Sequence, residues 1–155
     1  MKKPLVLLLL MFCLRLVAAG QDSLVEVKGI PSKEVYDLLI DSKGYLWIAH
    51  ELGITRYDGA RFIHFSHPRQ ASLSMSGMLE DRNGRIWFHN FSGQIFFIDK
   101  GRMELLERYD HTKEQVFPKM VILQDEMIAT TYNGLFIYNT STGKHRLIKL
   151  SDRKP

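Results

Sequence analysis

The chain repeats one motif at an interval of about 40 residues. Asp, Gly, Trp and a second Gly recur in the same order, each 40 residues later, and a weaker third copy follows. A repeat of this length is typical of solenoids and propellers, whose units bury their apolar faces only against their neighbours. The matched positions of the first two copies are Asp41, Gly44, Trp47 and Gly53, then Asp81, Gly84, Trp87 and Gly93.

The third copy, DEMIATTYNGLFIYNTSTG at residues 125–143, has no tryptophan and is aligned through its glycine. Gly134 corresponds to Gly53. We align Ile128-Ala129 with Ile48-Ala49 in the first copy. Three copies in series make chance a poor explanation of the pattern.

Short segments rich in β-branched and aromatic residues fill each repeat, among them YLWIA, GITRY, RIWFH and QIFFI. Turns rich in Gly, Asp and Asn separate them, as is typical of successive β-strands. No window has apolar residues at helical spacing over more than about two turns. DSKG and DRNG predict hairpin turns that Asp begins and Gly ends. Each repeat therefore predicts four antiparallel strands, which is one propeller blade.

We predict an all-β fold of about three four-stranded β-propeller blades, an incomplete propeller. The two tryptophans lie on the second strand of their repeats, where a large ring fills the space between neighbouring blades. We interpret them as packing residues rather than ligand-stacking residues, and the second glycine of each copy as a tight-turn residue. The repeats cover residues of about 29–66, 67–109 and 110–150, within a partial propeller at 21–155.

Residues 1–20 have the three-part layout of a secretory signal peptide: a basic start, an apolar run and small residues. We expect cleavage near Ala19 or Gly20; an uncleaved signal anchor is the alternative. Cys13, the one cysteine, lies in the apolar run. Since Met11 and Phe12 precede it instead of small residues, lipidation is not expected, and the mature protein has no disulfide.

The net charge of +4 comes mostly from this leader. Lys2, Lys3 and Arg15 carry three of the 21 basic charges and residues 1–20 contain no acid, so residues 21–155 hold 18 basic and 17 acidic residues. No basic stripe remains to neutralise phosphates, and nucleic acid is not expected as a partner.

No catalytic, metal or cofactor motif stands out, and we predict none. His64 and His67 lie three residues apart with no acid or cysteine nearby, whereas a metal site needs several converging ligands. The chain has no nucleophile elbow, no phosphate-binding glycine loop and no Cys-x-x-Cys pair. We therefore expect that this chain is not an enzyme.

The first repeat resembles the two-component regulator propeller family. The resemblance rests on the opening Gly29-Ile30-Pro31-Ser32, on Asp41-x-x-Gly44-x-x-Trp47-Ile48-Ala49 and on Gly53-Ile54-x-x-Tyr57-Asp58-Gly59. The second repeat keeps Asp81, Gly84 and Trp87 but not the opening.

This resemblance implies the periplasmic sensor of a Bacteroidetes-type hybrid two-component protein. In that family, propellers precede a β-sandwich, one membrane helix, a histidine kinase and a receiver in a phosphorelay, and the ligands are often polysaccharide breakdown products. The implied partners are the remaining blades of a longer parent chain, an oligosaccharide and a second copy in a homodimer. The implied location is the periplasmic side, with the parent attached to the inner membrane.

Three blades leave a propeller open, since closed propellers have about four to eight blades. We expect the chain to be the N-terminal piece of such a sensor and to associate when isolated. Two alternatives remain open: an exported propeller enzyme of glycosidase or lyase type, and a non-signalling protein-binding propeller.

Ligands of propellers contact loops, so we take as candidates the residues between the second and third strands of each repeat. Ordinary solvated turn residues are the alternative interpretation of the same positions. The candidates are His50, Glu51, Asn90, Phe91, Tyr132 and Asn133.

Overall fold

A computed structural model describes residues 28–113, 117–132 and 134–150. The predicted signal peptide, Cys13 and the candidate Asn133 lie outside these residues. Every regular element in the described part is a β-strand, and none of it forms a helix that is long and apolar enough to cross a membrane.

The twelve strands form three separate antiparallel sheets, and each sheet contains four strands that are consecutive in sequence and in space. The prediction of three four-stranded blades is confirmed. Blade 1 contains β1 (Val35–Ile40), β2 (Leu46–His50), β3 (Gly53–Tyr57) and β4 (Phe62–Phe65). Blade 2 contains β5 (Met75–Glu80), β6 (Ile86–Asn90), β7 (Ile95–Asp99) and β8 (Arg102–Leu105). Blade 3 contains β9 (Met120–Leu123), β10 (Glu126–Thr131), β11 (Gly134–Asn139) and β12 (His145–Lys149).

The hydrophobic core lies between the blades rather than inside any of them. One cluster joins blades 1 and 2 and includes Trp47, Ile54, Phe88 and Phe96. A second cluster joins blades 2 and 3 and includes Trp87. Both tryptophans lie on the second strand of their blade and are buried against the following blade, as the sequence predicts.

The hairpin turn before each tryptophan is built on the aspartate that begins it. Asp41 Oδ1 accepts the backbone N–H groups of Lys43 and Tyr45, at 3.0 and 2.9 Å, and the Gly44 N–H donates to the Asp41 carbonyl at 2.9 Å. Gly44 has φ of 81°, a left-handed conformation that L side chains rarely adopt, and its missing Cβ would meet no neighbour. Backbone conformation, not crowding, therefore requires glycine here.

The same carboxylate also binds the tryptophan, which the sequence analysis did not anticipate. Trp47 Nε1–H donates to Asp41 Oδ2 at 2.8 Å, and Trp87 Nε1–H donates to Asp81 Oδ2 at the same distance. Both carboxylates are buried, and a buried indole N–H needs an acceptor. The turn and the inter-blade tryptophan are therefore one hydrogen-bonded unit.

Beside each tryptophan, an arginine lies over an aromatic ring. The arginine and the aromatic residue occupy opposite positions of the pair in blade 1 and in blade 2. In blade 1 the Arg56 guanidinium carbon lies 4.5 Å from the centre of the Tyr45 ring. In blade 2 the position of Tyr45 holds Arg85 and the position of Arg56 holds Phe97, with 5.7 Å between the guanidinium carbon and the Phe97 ring. Arg85 also forms an ion pair with Asp81, so blade 2 has the stronger network.

The strand register corrects the alignment of the third repeat. His50 pairs with Gly53 and Thr131 pairs with Gly134, so the β2–β3 and β10–β11 turns have the same length. Ala129 then occupies the position of Ile48, not that of Ala49. The alignment of Ile128-Ala129 with Ile48-Ala49 is therefore wrong by one residue. The difference matters, since a slip of one residue moves every side chain to the other face of the sheet.

The remaining glycines of the repeat lie where each hairpin needs space or a turn. Gly53 begins β3 with φ of 133°, and Gly93 lies in the β6–β7 turn with φ of 82°. A Cβ on Gly134 would stand 1.9 Å from the Ile148 carbonyl oxygen, so β11 and β12 require glycine at this close approach.

Asp81→Asn is expected to destabilise the fold more than Asp41→Asn. Each substitution places an amide N–H opposite the indole N–H, at a cost of about 1–3 kcal/mol for an unsatisfied buried donor. Asp81→Asn also removes the ionic partner of the largely buried Arg85, and breaking such a pair costs about 3–5 kcal/mol. Urea unfolding followed by tryptophan fluorescence measures both.

Asp110→Asn is the control, because the Asp110 carboxylate is exposed and its partners, Lys113 and Thr112, also lie at the surface. It should leave the free energy of unfolding nearly unchanged. Equal losses for Asp41→Asn and Asp81→Asn would contradict the role given to Arg85.

The two outer faces of the described blades carry exposed apolar side chains. On blade 1 these include Leu38 and Ile40, 61% and 70% exposed, and on blade 3 Val121 and Leu123, 56% and 63% exposed. Apolar patches of this kind promote association. We expect the isolated chain to self-associate, and Leu38→Lys with Leu123→Lys to shift sedimentation velocity profiles towards the monomer.

Leu52→Lys is the matched control, since Leu52 is 46% exposed but lies in the β2–β3 turn rather than on an outer face. A wild-type chain that sediments as a monomer at all concentrations would contradict this expectation.

Candidate ligand-binding site

One end of the blades carries the β2–β3, β6–β7 and β10–β11 turns, and it is the end that holds the predicted ligand-binding residues. The segment before β1 and the connectors between blades reach the same end. Glu51 N–H donates to the Glu34 carbonyl, and the Phe91 N–H donates to the Ser74 carbonyl. We call this end the loop end.

Two of the predicted residues have side chains that serve the fold. His50 is 1% exposed and ends β2, and Asn90 is fully buried and ends β6. The Asn90 amide donates to the carbonyl of Ser72 and to Gln94 Oε1, and its Oδ1 accepts the N–H groups of Ser92 and Gln94. All the polar atoms of Asn90 are thus used to hold the β6–β7 turn.

His50 belongs to a hydrogen-bonded chain across blade 1. The Leu52 N–H donates to His50 Nδ1, so the proton of a neutral ring is on Nε2, which lies 2.8 Å from Thr55 Oγ1. The Thr55 hydroxyl in turn lies 2.6 Å from His64 Nδ1. Burial, and then the charge on His64, lowers the pKa of His50 below its usual 6.5. This arrangement fits a neutral His50 ring.

The other predicted residues remain near the surface. Glu51 is half-buried, Phe91 is half-buried in the β6–β7 turn, and Tyr132 is 82% exposed in the β10–β11 turn. Whether these residues contact a ligand stays a prediction. Of them, Phe91 belongs to a larger group of side chains.

Three aromatic rings from three successive segments form a row at the loop end. The Tyr36 ring of β1 lies 4.9 Å from the Phe91 ring, which lies 5.3 Å from the Phe117 ring in the connector to blade 3. Phe117 is 51% and Tyr36 38% exposed. We call Tyr36, Phe91 and Phe117 the aromatic row.

A β-bulge places Tyr36 in this row. The register of β1 with β2 shifts between Val35 and Asp37, which leaves Tyr36 without a pairing partner in the ladder. The Tyr36 hydroxyl donates to Glu34 Oε2 at 2.7 Å, and this hydrogen bond raises the pKa of Tyr36. Tyr36 and Phe117 were not among the predicted residues, because neither lies between the second and third strands of a repeat.

A buried histidine lies against one end of the row. The His89 ring meets the Phe117 ring edge-on, with 6.5 Å between the ring centres. His89 is 7% exposed, and burial is the main cause that lowers its pKa below 6.5. Its Nδ1 lies 3.1 Å from the Asn90 carbonyl oxygen, an acceptor, so Nδ1 carries the proton of the neutral ring and Nε2 has a free lone pair.

This arrangement suits a ligand that has both an apolar face and hydroxyl groups. The aromatic rings supply apolar contact area, and the carboxylates of Glu34 and Glu51 near Tyr36 supply acceptors. Within the described residues, no group of three His, Cys, Asp or Glu side chains is placed to hold a metal ion. His64 and His67 are not brought together: His64 bonds Thr55, and His67 packs on Phe96.

Residues 29–51 match the family model described as "Two component regulator propeller". They include the opening Gly29-Ile30-Pro31-Ser32, the turn from Asp41 to Gly44, and Trp47. The resemblance inferred from the sequence is confirmed over these residues. No curated protein matches the chain.

Solved β-propellers have the same arrangement of blades. A virginiamycin B lyase from Staphylococcus aureus superposes with a TM-score of 0.64 at 21% identity, over 80% of this chain and 44% of the lyase chain. The extracellular domain of the hybrid two component system BT4673 from B. thetaiotaomicron superposes with a TM-score of 0.60 at 16% identity, over 81% of this chain and 18% of that chain. These likenesses establish the propeller fold, and this chain spans less than half of either protein.

His50→Asn is expected to weaken the dependence of stability on pH. Since the folded chain holds the pKa of His50 below 6.5, the unfolded chain binds the proton first, and the free energy of unfolding falls as pH drops below 6.5. Asparagine does not titrate, and blade 2 has Asn90 at this position. Urea unfolding at neutral pH and at about pH 5 should show a smaller loss for the variant; an unchanged loss would contradict the assignment.

Proposed function

We propose that this chain is part of the extracytoplasmic ligand-sensing propeller of a hybrid two-component protein, and that its ligand binds at the aromatic row. The aromatic row carries the proposal. Its three rings come from blade 1, blade 2 and the connector to blade 3, so one ligand would contact segments that are distant in sequence. The family match of the first repeat and the likeness to an extracellular sensor domain support the signalling role.

The ligand class that we propose is an oligosaccharide. A pyranose ring has an apolar C–H face that packs on an aromatic ring and hydroxyl groups that need hydrogen-bond partners at the rim. Glu34 and Glu51 lie at this rim and present carboxylate acceptors. The half-exposed rings leave room for such stacking, because a ring of the core would be covered by its neighbours.

The proposed mechanism is a change in population rather than catalysis by this chain. A ligand that prefers one of two arrangements of a sensor dimer shifts the dimer towards it, by no more than its difference in affinity for the two. In the parent protein, the shift would act across the inner membrane on a histidine kinase. Export to the periplasm, the dimer and the kinase are parts of this proposal.

A propeller lyase is the second candidate function, and the likeness to the virginiamycin B lyases favours it. A lyase must turn its substrate over, whereas a sensor releases its ligand unchanged. Mass spectrometry of a bound oligosaccharide after prolonged incubation distinguishes the two, since a change in mass or an unsaturated product indicates a lyase.

Phe117→Ala is expected to weaken oligosaccharide binding by the full chain about tenfold or more, because one stacked aromatic contact is worth about 0.5–1.5 kcal/mol beyond the area that it buries. Immobilised protein probed with an array of plant, fungal and host glycans identifies the bound sugar, and isothermal titration calorimetry measures the loss.

Leu73→Ala is the matched control, because Leu73 and Phe117 are both 51% exposed in connectors, and Leu73 has no aromatic ring. The two variants should melt close to the wild-type temperature, and only Phe117→Ala should lose affinity. Unchanged binding by Phe117→Ala, or equal losses in both variants, would overturn the site assignment.

A further inference from the structure

We infer that His89 determines the specificity of the aromatic row by accepting a hydrogen bond from a ligand hydroxyl at Nε2. The inference rests on the proposed function, since it names the polar contact of the same site. It stands on four observations: a break in the repeat, a cradle for the imidazole, a fixed tautomer and the contact with Phe117.

The repeat changes at this position in blade 2. Pairing of the second and third strands places Ala49 of blade 1 and Thr130 of blade 3 in the position of His89. Ala49 is part of the core cluster between blades 1 and 2. Packing between blades thus needs only a small side chain here, and the imidazole of blade 2 is an addition that packing does not require.

The neighbouring strand is shaped to receive this imidazole. Gly77 lies at a register shift of β5, with φ of 71°. A Cβ on Gly77 would stand 2.7 Å from His89 Cδ2 and 2.8 Å from Nε2, so any other residue would collide with the ring. Forty residues earlier in the chain, blade 1 has Asp37, whose ladder partner is Ala49, whereas His89 pairs with Ser76. The glycine and the histidine therefore form a matched pair that blade 1 lacks.

The hydrogen bond to the Asn90 carbonyl fixes which nitrogen is available. Because Nδ1 donates its proton there, Nε2 is an acceptor, and no hydrogen bond to Nε2 occurs within the described residues. Nε2 is therefore the ring nitrogen that is left to accept a hydrogen bond from a ligand or from water. The neutral imidazole selects a donor, such as a sugar hydroxyl, over an anionic group.

Acid should abolish this selection. Burial lowers the pKa of His89 most, and the hydrogen bond to the Asn90 carbonyl raises it in part. The charged groups near the imidazole are Lys119 of the connector, which lowers the pKa, and Asp37 of β1, which raises it. Gly77 of β5 and Ile95 of β7, which also face the ring, are uncharged. Protonation below pH 6.5 turns Nε2 from an acceptor into a donor, so a ligand hydroxyl that donates to Nε2 must give up or reverse that hydrogen bond, and we expect affinity to fall in that range.

The test uses the full chain with cellohexaose, xylohexaose and maltohexaose as probes. His89→Leu removes the acceptor and should weaken binding of the recognised hexaose about 2- to 12-fold, the value of one neutral hydrogen bond. His89→Gln keeps an acceptor that does not titrate. It should retain binding at neutral pH and lose the decline that the wild type shows between neutral pH and about pH 5.

Nitrogen-15 NMR of the imidazoles supplies a reading without any sugar, and it should show His89 protonated at Nδ1 and bare at Nε2 at neutral pH. A proton on Nε2 would overturn the inference. The inference would also be overturned if the His89→Leu variant bound a hexaose as tightly as the wild type and the Phe117→Ala variant bound it more weakly. That outcome would leave the proposed function intact. Failure of the wild type to bind any of the three hexaoses would count against the oligosaccharide proposal and this inference together.

Discussion

The buried carboxylate of Asp41, repeated as Asp81, is the interaction on which the blades depend. One oxygen holds the hairpin turn through two backbone N–H groups, and the other accepts the indole N–H of the tryptophan six residues later. The indole fills the gap to the next blade, so a local turn fixes the distance between two sheets. Without the carboxylate, a buried N–H would lie unpaired in an apolar interface, and a smaller ring would leave a cavity.

Blade 3 shows what happens where this unit is missing. Its β9–β10 connection is a tight turn at Gln124 and Asp125, with Gln124 at φ of 55°, and Ile128 takes the place of the tryptophan. A branched aliphatic side chain needs no hydrogen-bond acceptor, so the turn no longer needs its aspartate. Between blades 2 and 3, Arg85 adds a contact to that of Trp87, because its guanidinium bonds Asp81 and also donates to the Thr140 carbonyl of blade 3. The second blade therefore holds the third through an arginine.

The spacing of Asp, Gly and Trp was enough to predict the strands, their grouping into blades and the burial of the indoles, because each depends on local chemistry that repeats. The aromatic row was not predictable in the same way. Tyr36 reaches it only through a bulge, and Phe117 comes from a connector with no counterpart in the motif. The alignment of the third repeat was wrong by one residue for a similar reason. An apolar pair such as Ile-Ala can be aligned in two registers, and only the length of the hairpin turn, seen in the strand pairing, decides between them.

The positions that differ among the blades are therefore the informative ones for function. A residue that recurs at the same position of two blades serves packing between blades, as Trp47 and Trp87 do. Tyr36 stands where blade 2 has Ser76, and His89 stands where blade 1 has Ala49. Each exchange puts a larger, partly polar side chain where a small one suffices, and each needs a bulge in the first strand of its blade to make room. Both departures lie at the same end of the molecule and converge on Phe91 and Phe117. A fold that only had to stack its blades would have no reason to break its repeat twice at one place.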